Sequence, residues 1–259
     1  MGARLFFLAG GLTAAALLAA LVGCAGGGTF NSGQRAPWRA QKEQACLAGG
    51  AVQASAYMRP MSEIGGPGIC GLRRPLRVSG LAAGKVLVTP AATIGCPMTA
   101  ALDRWVRRSV QPASYRYFGR PVVEIKQIAS YGCRGRNGNR HGAPSEHAFG
   151  NALDIAGFRL AGGGEITVVR GWRGDARERA FLRAVFIGAC AEFYTVLGPG
   201  SDRLHYNHFH VDLLLTNTRN GRHLCRPSLS RGVPVAGARR NPGGTASVKP
   251  LSFAGPGAN

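Results

Sequence analysis

Five of the six histidines in this chain fall between residues 141 and 210, and four of those sit in two short strings. The first string is Ser145-Glu146-His147-Ala148-Phe149-Gly150-Asn151-Ala152-Leu153-Asp154; the second is His205-Tyr206-Asn207-His208-Phe209-His210. Imidazole and carboxylate are the usual ligands of a catalytic zinc, which takes three protein ligands and leaves a fourth position for water. His147, Asp154 and His210 supply such a set. The fold therefore has to bring two stretches that are distant along the chain to one point. If the second string is a strand, His208 and His210 face one side and Phe209 faces the core, because strand side chains alternate. His208 then stands beside the metal as the general base, an imidazole suited to a water whose pKa zinc lowers to roughly 7.

Composition agrees with a folded, loop-rich chain. Hydrophobic residues make up 45% of the 259 and charged residues 17%, which excludes the apolar-poor, charge-rich make-up of a disordered protein. The length suits one domain or two. There are 32 Lys and Arg against 12 Asp and Glu, a formal charge of +20. Seven of these bases and no acid lie in residues 213–259, and residues 24–212 hold 24 bases against the 12 acids. Such a surface favours anionic partners, although Arg in an Ala- and Gly-rich chain also follows from codon bias. Nucleic-acid binding has only the charge behind it, since no recognition motif is present.

The N-terminus reads as an export signal: Arg4, an apolar stretch over 5–22, then Gly23-Cys24. Leu21-Val22-Gly23-Cys24 looks like a bacterial lipobox, with residues 1–23 removed and Cys24 lipidated. Lipid chains there anchor a protein without a spanning helix. Ala25 lacks the Asp that resembles an inner-membrane retention signal, so a periplasmic domain tethered to the outer membrane is favoured. Residues 24–40 read as a flexible tether, and residues 229–259, which lack periodicity, as a disordered basic tail. Setting Cys24 aside leaves Cys46, Cys70, Cys96, Cys133, Cys190 and Cys225, an even set that in an oxidising compartment implies three disulfides. Cys46–Cys70 is the expected pair, both preceding the catalytic part. No C-x-x-C occurs.

Between these ends, apolar spacing after Pro97 predicts a helix over 97–110. The β-branched run 121–130 predicts a strand, and 152–160 and 165–169 flank a Gly-rich turn as a hairpin. Asp175 with Glu178 forms an acidic cap for a helix to about 193, and 208–215 reads as a strand. Without a βαβ repeat, the class is α+β with a small antiparallel sheet flanked by helices.

The Ser-x-His-x-x-Gly-x-Ala-x-Asp string with a downstream His-x-His resembles the LAS metallopeptidases, which include D-Ala-D-Ala peptidases, murein endopeptidases and hedgehog-like domains. More closely, SYGCR, SEHAFGNALDIAGF, FLRAVFIGAC, VLGPGSD and HYNHFHVDL look like the extensin-like C-terminal domain family of bacteria, over about residues 44–226 in a domain of 41–228. The LAS pattern implies a LAS/hedgehog-like fold, zinc on His147, Asp154 and His210, and His208 as base. It implies that His205 orients the water or the base. Arg134 sits where those peptidases carry an Arg, there to hold a carbonyl oxygen or a substrate carboxylate. Ser145 either binds substrate or shapes the turn; Glu146 diverges from His147, and His141 and His223 read as ordinary loop residues. Two functions follow: a zinc peptidase cutting amides of peptidoglycan peptides, or a non-catalytic zinc lipoprotein that binds the wall or another anionic envelope polymer.

Overall fold

The computed structural model describes residues 34–139, 142–214 and 223–229. The signal segment, Cys24, His141 and the basic tail beyond residue 229 lie outside these described residues. The elements run as helix α1 (Pro37–Ala48) and strands β1 (Met58–Pro60), β2 (Ile64–Gly65), β3 (Gly71–Leu72), β4 (Leu76–Leu81) and β5 (Val86–Ile94). Helices α2 (Cys96–Trp105) and α3 (Gln111–Phe118) follow, then β6 (Val122–Ala129), β7 (Ala152–Leu160) and β8 (Glu165–Thr167). The chain closes with α4 (Val168–Gly171), α5 (Ala176–Glu192), β9 (Thr195–Leu197), β10 (Phe209–Asp212) and β11 (Leu224–Arg226). Among the described residues, no helix is long and apolar enough to cross a membrane.

The architecture is α+β, but the sheet is not small. Nine strands join in the order β1-β4-β5-β6-β7-β10-β9-β11, with β8 also paired to β7. Pairing is mostly antiparallel; β5 with β6 and β9 with β11 are the parallel pairs. The sequence reading missed the first five strands because most are too short to show alternation. It also stopped the first helix too early: a π-helical turn over Val106–Val110 continues α2 into α3, which ends at Gly119 in the left-handed region. The predicted second hairpin strand ends at Thr167, whose hydroxyl caps α4. Helix α1 begins at Pro37, inside the stretch assigned to the tether.

One face of the sheet carries the core. Trp105, Phe158, Phe181, Phe186, Phe193 and Phe209 are fully buried there, and Trp105 Nε1 donates to the Val185 carbonyl at 3.0 Å, joining α2 to α5. Asp175 starts α5 as expected, its Oδ1 accepting from the amides of Arg177 and Glu178 at 2.7 and 3.0 Å. Six buried aromatic side chains contribute about 1.5–3 kcal/mol each to the cohesion of this layer. The opposite face of β7 and β10 is left for polar work.

Three disulfides staple the fold: Cys46–Cys96, Cys70–Cys133 and Cys190–Cys225. The expected Cys46–Cys70 pair is therefore wrong. Cys46 lies on α1, which packs against α2 and so meets Cys96 at its start, whereas Cys70 lies in a small cluster with Phe149 and Cys133. Loops of this length gain on the order of 4 kcal/mol each from closure in the chain-entropy view. Non-reducing peptide mapping of the mature protein is expected to yield these three linked pairs; a peptide joining Cys46 to Cys70 contradicts the fold.

Candidate metal centre

The centre forms where β7 and β10 pair. Their antiparallel register sets His210 directly opposite Asp154, so the two side chains rise from the same face. His147 arrives from the tight turn Glu146–Phe149 just before β7. Ser145 caps that turn, its Oγ accepting from the His147 amide at 3.4 Å, and Gly150 ends it at φ +59°. A side chain at Gly150 would meet Leu72 at 2.5 Å besides being strained, so this position needs glycine. The segment 130–134 runs alongside: Gly132 donates to the His147 carbonyl, and Ser145 donates to that of Arg134.

The three predicted ligand atoms form a tight triangle. His147 Nε2 lies 3.1 Å from Asp154 Oδ1 and 3.2 Å from His210 Nδ1, and His210 Nδ1 lies 2.8 Å from Asp154 Oδ1. Donors held by one tetrahedral zinc stand about 3.3 Å apart, so the spacing fits a single ion. The outer hydrogen bonds decide which nitrogens face inward. His147 Nδ1 meets the Ser130 carbonyl at 2.6 Å, an acceptor only, so Nδ1 carries the proton and Nε2 offers a lone pair. His210 Nε2 donates to Asp212 Oδ2 at 2.9 Å, leaving Nδ1 bare. Two lone pairs and a carboxylate oxygen thus converge, an arrangement that repels itself unless a cation sits among them. The residues fit a divalent metal.

Titration tendencies agree. Burial works against the ionised Asp154 carboxyl, yet in the absence of an ion protonation of the His147 and His210 rings, through hydrogen bonds and charge, outweighs it and holds Asp154 far below the usual carboxylate range. Burial likewise disfavours a charged His210, but hydrogen bonds from its ring to Asp154 and Asp212 win and push it up to about 9. The trio demands one positive charge, which a proton or a metal ion meets.

The remaining predicted residues gather around this triangle. His208 precedes β10 rather than lying in it, and its Nε2 stands 3.7 Å from Asp154 Oδ1. Its Nδ1 donates to Asn207 Oδ1 at 2.9 Å, so Nε2 is the basic atom and points inward. Burial lowers His208 below the ordinary imidazole value, which keeps it neutral and ready to accept a proton. His205 donates from Nδ1 to both oxygens of Asp202 at 2.8 Å, and its ring lies beside those of His208 and His210. Arg134 donates to Asp154 Oδ2 at 3.1 Å, orienting that carboxylate, and 40% of its side chain remains open to solvent. Phe209 points to the core as expected, against Trp172 and Phe186. His223 is exposed, beside Tyr194, and does not line the cleft.

Sequence reasoning missed Asp202 and Asp212, the carboxylates behind two of the imidazoles. The signal was there, since each lies two or three residues from its histidine. It also gave Glu146 no task. Glu146 is buried and takes both guanidinium nitrogens of Arg39 at 3.0 and 2.8 Å, with Asn151 as a third donor. Arg39 in turn stacks on Phe149, so α1 is clamped to the turn that carries His147. The whole opens into a cleft of about 650 Å³ whose lining includes Arg134, Ser145, His205, His208 and Arg226, a volume typical of ligand sites.

A family model described as the extensin-like protein C-terminus matches residues 44–226. The chain belongs to this family. No solved structure and no curated protein matches it. The matched span of this extensin-like domain contains all four imidazoles of the cleft and all six paired cysteines.

Two substitutions test the site's construction. Asp212→Ala, which frees His210 to rotate or change tautomer, is expected to weaken zinc affinity by about 10–100-fold in a competitive chelator titration; an unchanged affinity contradicts the assigned tautomer. Glu146→Ala strands the buried Arg39 and is expected to cost about 3–5 kcal/mol of stability in denaturant unfolding. A variant as stable as the wild type contradicts the clamp.

Proposed function

We propose that this extensin-like domain is a zinc-dependent peptidase of LAS type, a lipid-anchored envelope protein that hydrolyses amide bonds of peptidoglycan peptides. The observation that carries the reading is the convergence of three lone-pair donors beside a fourth, neutral imidazole in an open cleft. His147, Asp154 and His210 would hold the ion, which when bound supplies Lewis-acid polarisation and makes water acidic near neutral pH. Three disulfides support an oxidising, exported location, and the lipobox motif at Cys24 supports anchoring.

The chain's own residues supply the proton transfers. His208 accepts a proton at Nε2 from the attacking water, because Asn207 keeps the proton of its other nitrogen in place. The same Nε2 then passes that proton to the leaving amine. Arg134, fixed through Asp154 yet partly open, offers its other guanidinium N–H groups to the carbonyl oxygen as negative charge develops there. His205, held by Asp202, packs against His208 and fixes its ring. The net positive charge favours a substrate rich in carboxylates.

The test is digestion of purified peptidoglycan by the zinc-loaded protein, read as released muropeptides. The wild type is expected to release them, and His208→Ala to release them about 10²–10⁴-fold more slowly while retaining one zinc. A wild type that keeps its zinc and releases nothing overturns the peptidase reading and leaves a wall-binding zinc lipoprotein.

A further inference from the structure

The row of residues that holds the metal does not end at His210. Asp154 on β7 pairs with His210 on β10, His210 pairs with Leu197 on β9, and Leu197 pairs with Arg226 on β11. Directly opposed residues of neighbouring strands project from the same face of a sheet, so Asp154, His210, Leu197 and Arg226 form one line across the cleft floor. The next row, Asp212, Thr195 and Leu224, runs beside it by the same registers. All seven residues line the cleft.

Arg226 sits at the far end of this line, two strand spacings, about 10 Å, from His210. It is exposed, and the carboxylates sharing its cleft are already engaged: Asp154 and Asp212 with His210, Asp202 with His205, and Glu146 with Arg39. Arg226 lies on a short edge strand that is nevertheless firmly held. Gly198 donates to the Arg226 carbonyl at 3.0 Å, and Leu224 donates to that of Tyr194 at 2.8 Å. Cys225, between them, turns to the opposite face and is tied by its disulfide to Cys190 at the end of α5. An anchored, uncompensated guanidinium at the end of a floor that begins at the metal ligands is placed to receive an anion, while half-buried Leu197 between them offers an apolar step.

We propose that Arg226 is a specificity-determining residue that binds a carboxylate of an acidic peptide lying along this row. Extended peptide advances about 3.3 Å per residue. The carboxylate it takes therefore belongs about three residues from the group at the metal ligands, with a small apolar side chain over Leu197. For the bond cut there, the inference rests on the peptidase reading; the binding itself does not.

The test is isothermal titration of the zinc-loaded protein with cross-linked stem peptides released from peptidoglycan, either native or with their carboxylates amidated. Wild type is expected to bind the native peptides about 10–100-fold more tightly than the amidated ones, the range of a charge-assisted hydrogen bond. Arg226→Gln is expected to lose most of that preference while keeping its zinc content and unfolding temperature, with Arg226→Lys intermediate. Arg59→Gln, at the exposed opposite edge of the sheet, is expected to change nothing. Native peptides that bind Arg226→Gln as they bind wild type, an amidation penalty of equal size in both, or no binding to wild type overturns the proposal. If wild type binds with this dependence on Arg226 yet cleaves no peptide, the peptidase reading fails and the carboxylate site stands.

Discussion

Four oxygen acceptors behind four imidazoles govern this molecule. The Ser130 carbonyl, Asp212, Asp202 and Asn207 each take the proton of one ring nitrogen of His147, His210, His205 and His208. Every one of these rings is thereby fixed in one tautomer, and for His147, His208 and His210 the unprotonated nitrogen faces the same carboxylate, Asp154. Neutral imidazoles alone would have no reason to crowd their lone pairs together. The outer acceptors hold them there, and the resulting concentration of electron density is what gives the cleft its demand for a cation.

The scaffold exists to keep that arrangement from relaxing. Two of the candidate ligands come from the paired strands β7 and β10, where register leaves little freedom, and the third comes from a turn fixed by Ser145, Gly150 and its hydrogen bonds to segment 130–134. The turn is backed twice more. The Cys70–Cys133 disulfide closes over Phe149, and the Arg39–Glu146 pair ties the turn to α1. A buried ion pair adds little net stability, but it tolerates few alternative geometries once both charges are inside. The aromatic layer on the far side of the sheet supplies the cohesion against which this polar face is held.

Much of the site was legible in the sequence, and for a physical reason. Metal chemistry demands particular residue types at spacings set by strands and turns, so His147, Asp154 and His210 could be named from two strings alone. Alternation on a strand predicted that Phe209 would oppose His208 and His210, although His208 proved to lie just outside β10. What could not be read were relations that depend on who packs against whom. Cys46 meets Cys96 because α1 lies on α2, and nothing local to either cysteine says so. Glu146 looked idle because its partner Arg39 lies far back in the chain, in a stretch with the composition of a tether. The size of the sheet was hidden for a similar reason, since two- and three-residue strands such as β2 and β11 are created by their neighbours rather than by their own propensity. The family match to residues 44–226 spans the cysteine pairs and the short strands together, while Arg39 lies just before it.

The inward-facing nitrogens decide whether the cleft takes a cation, and histidine-selective ¹H–¹⁵N NMR of the zinc-loaded protein reads them directly. The expected spectrum has the protons of His147, His205 and His208 on Nδ1 and that of His210 on Nε2, with zinc shifting His147 Nε2 and His210 Nδ1. Protons on His147 Nε2 or His210 Nδ1 in the zinc-loaded protein, or imidazole signals that zinc leaves unmoved, would contradict it.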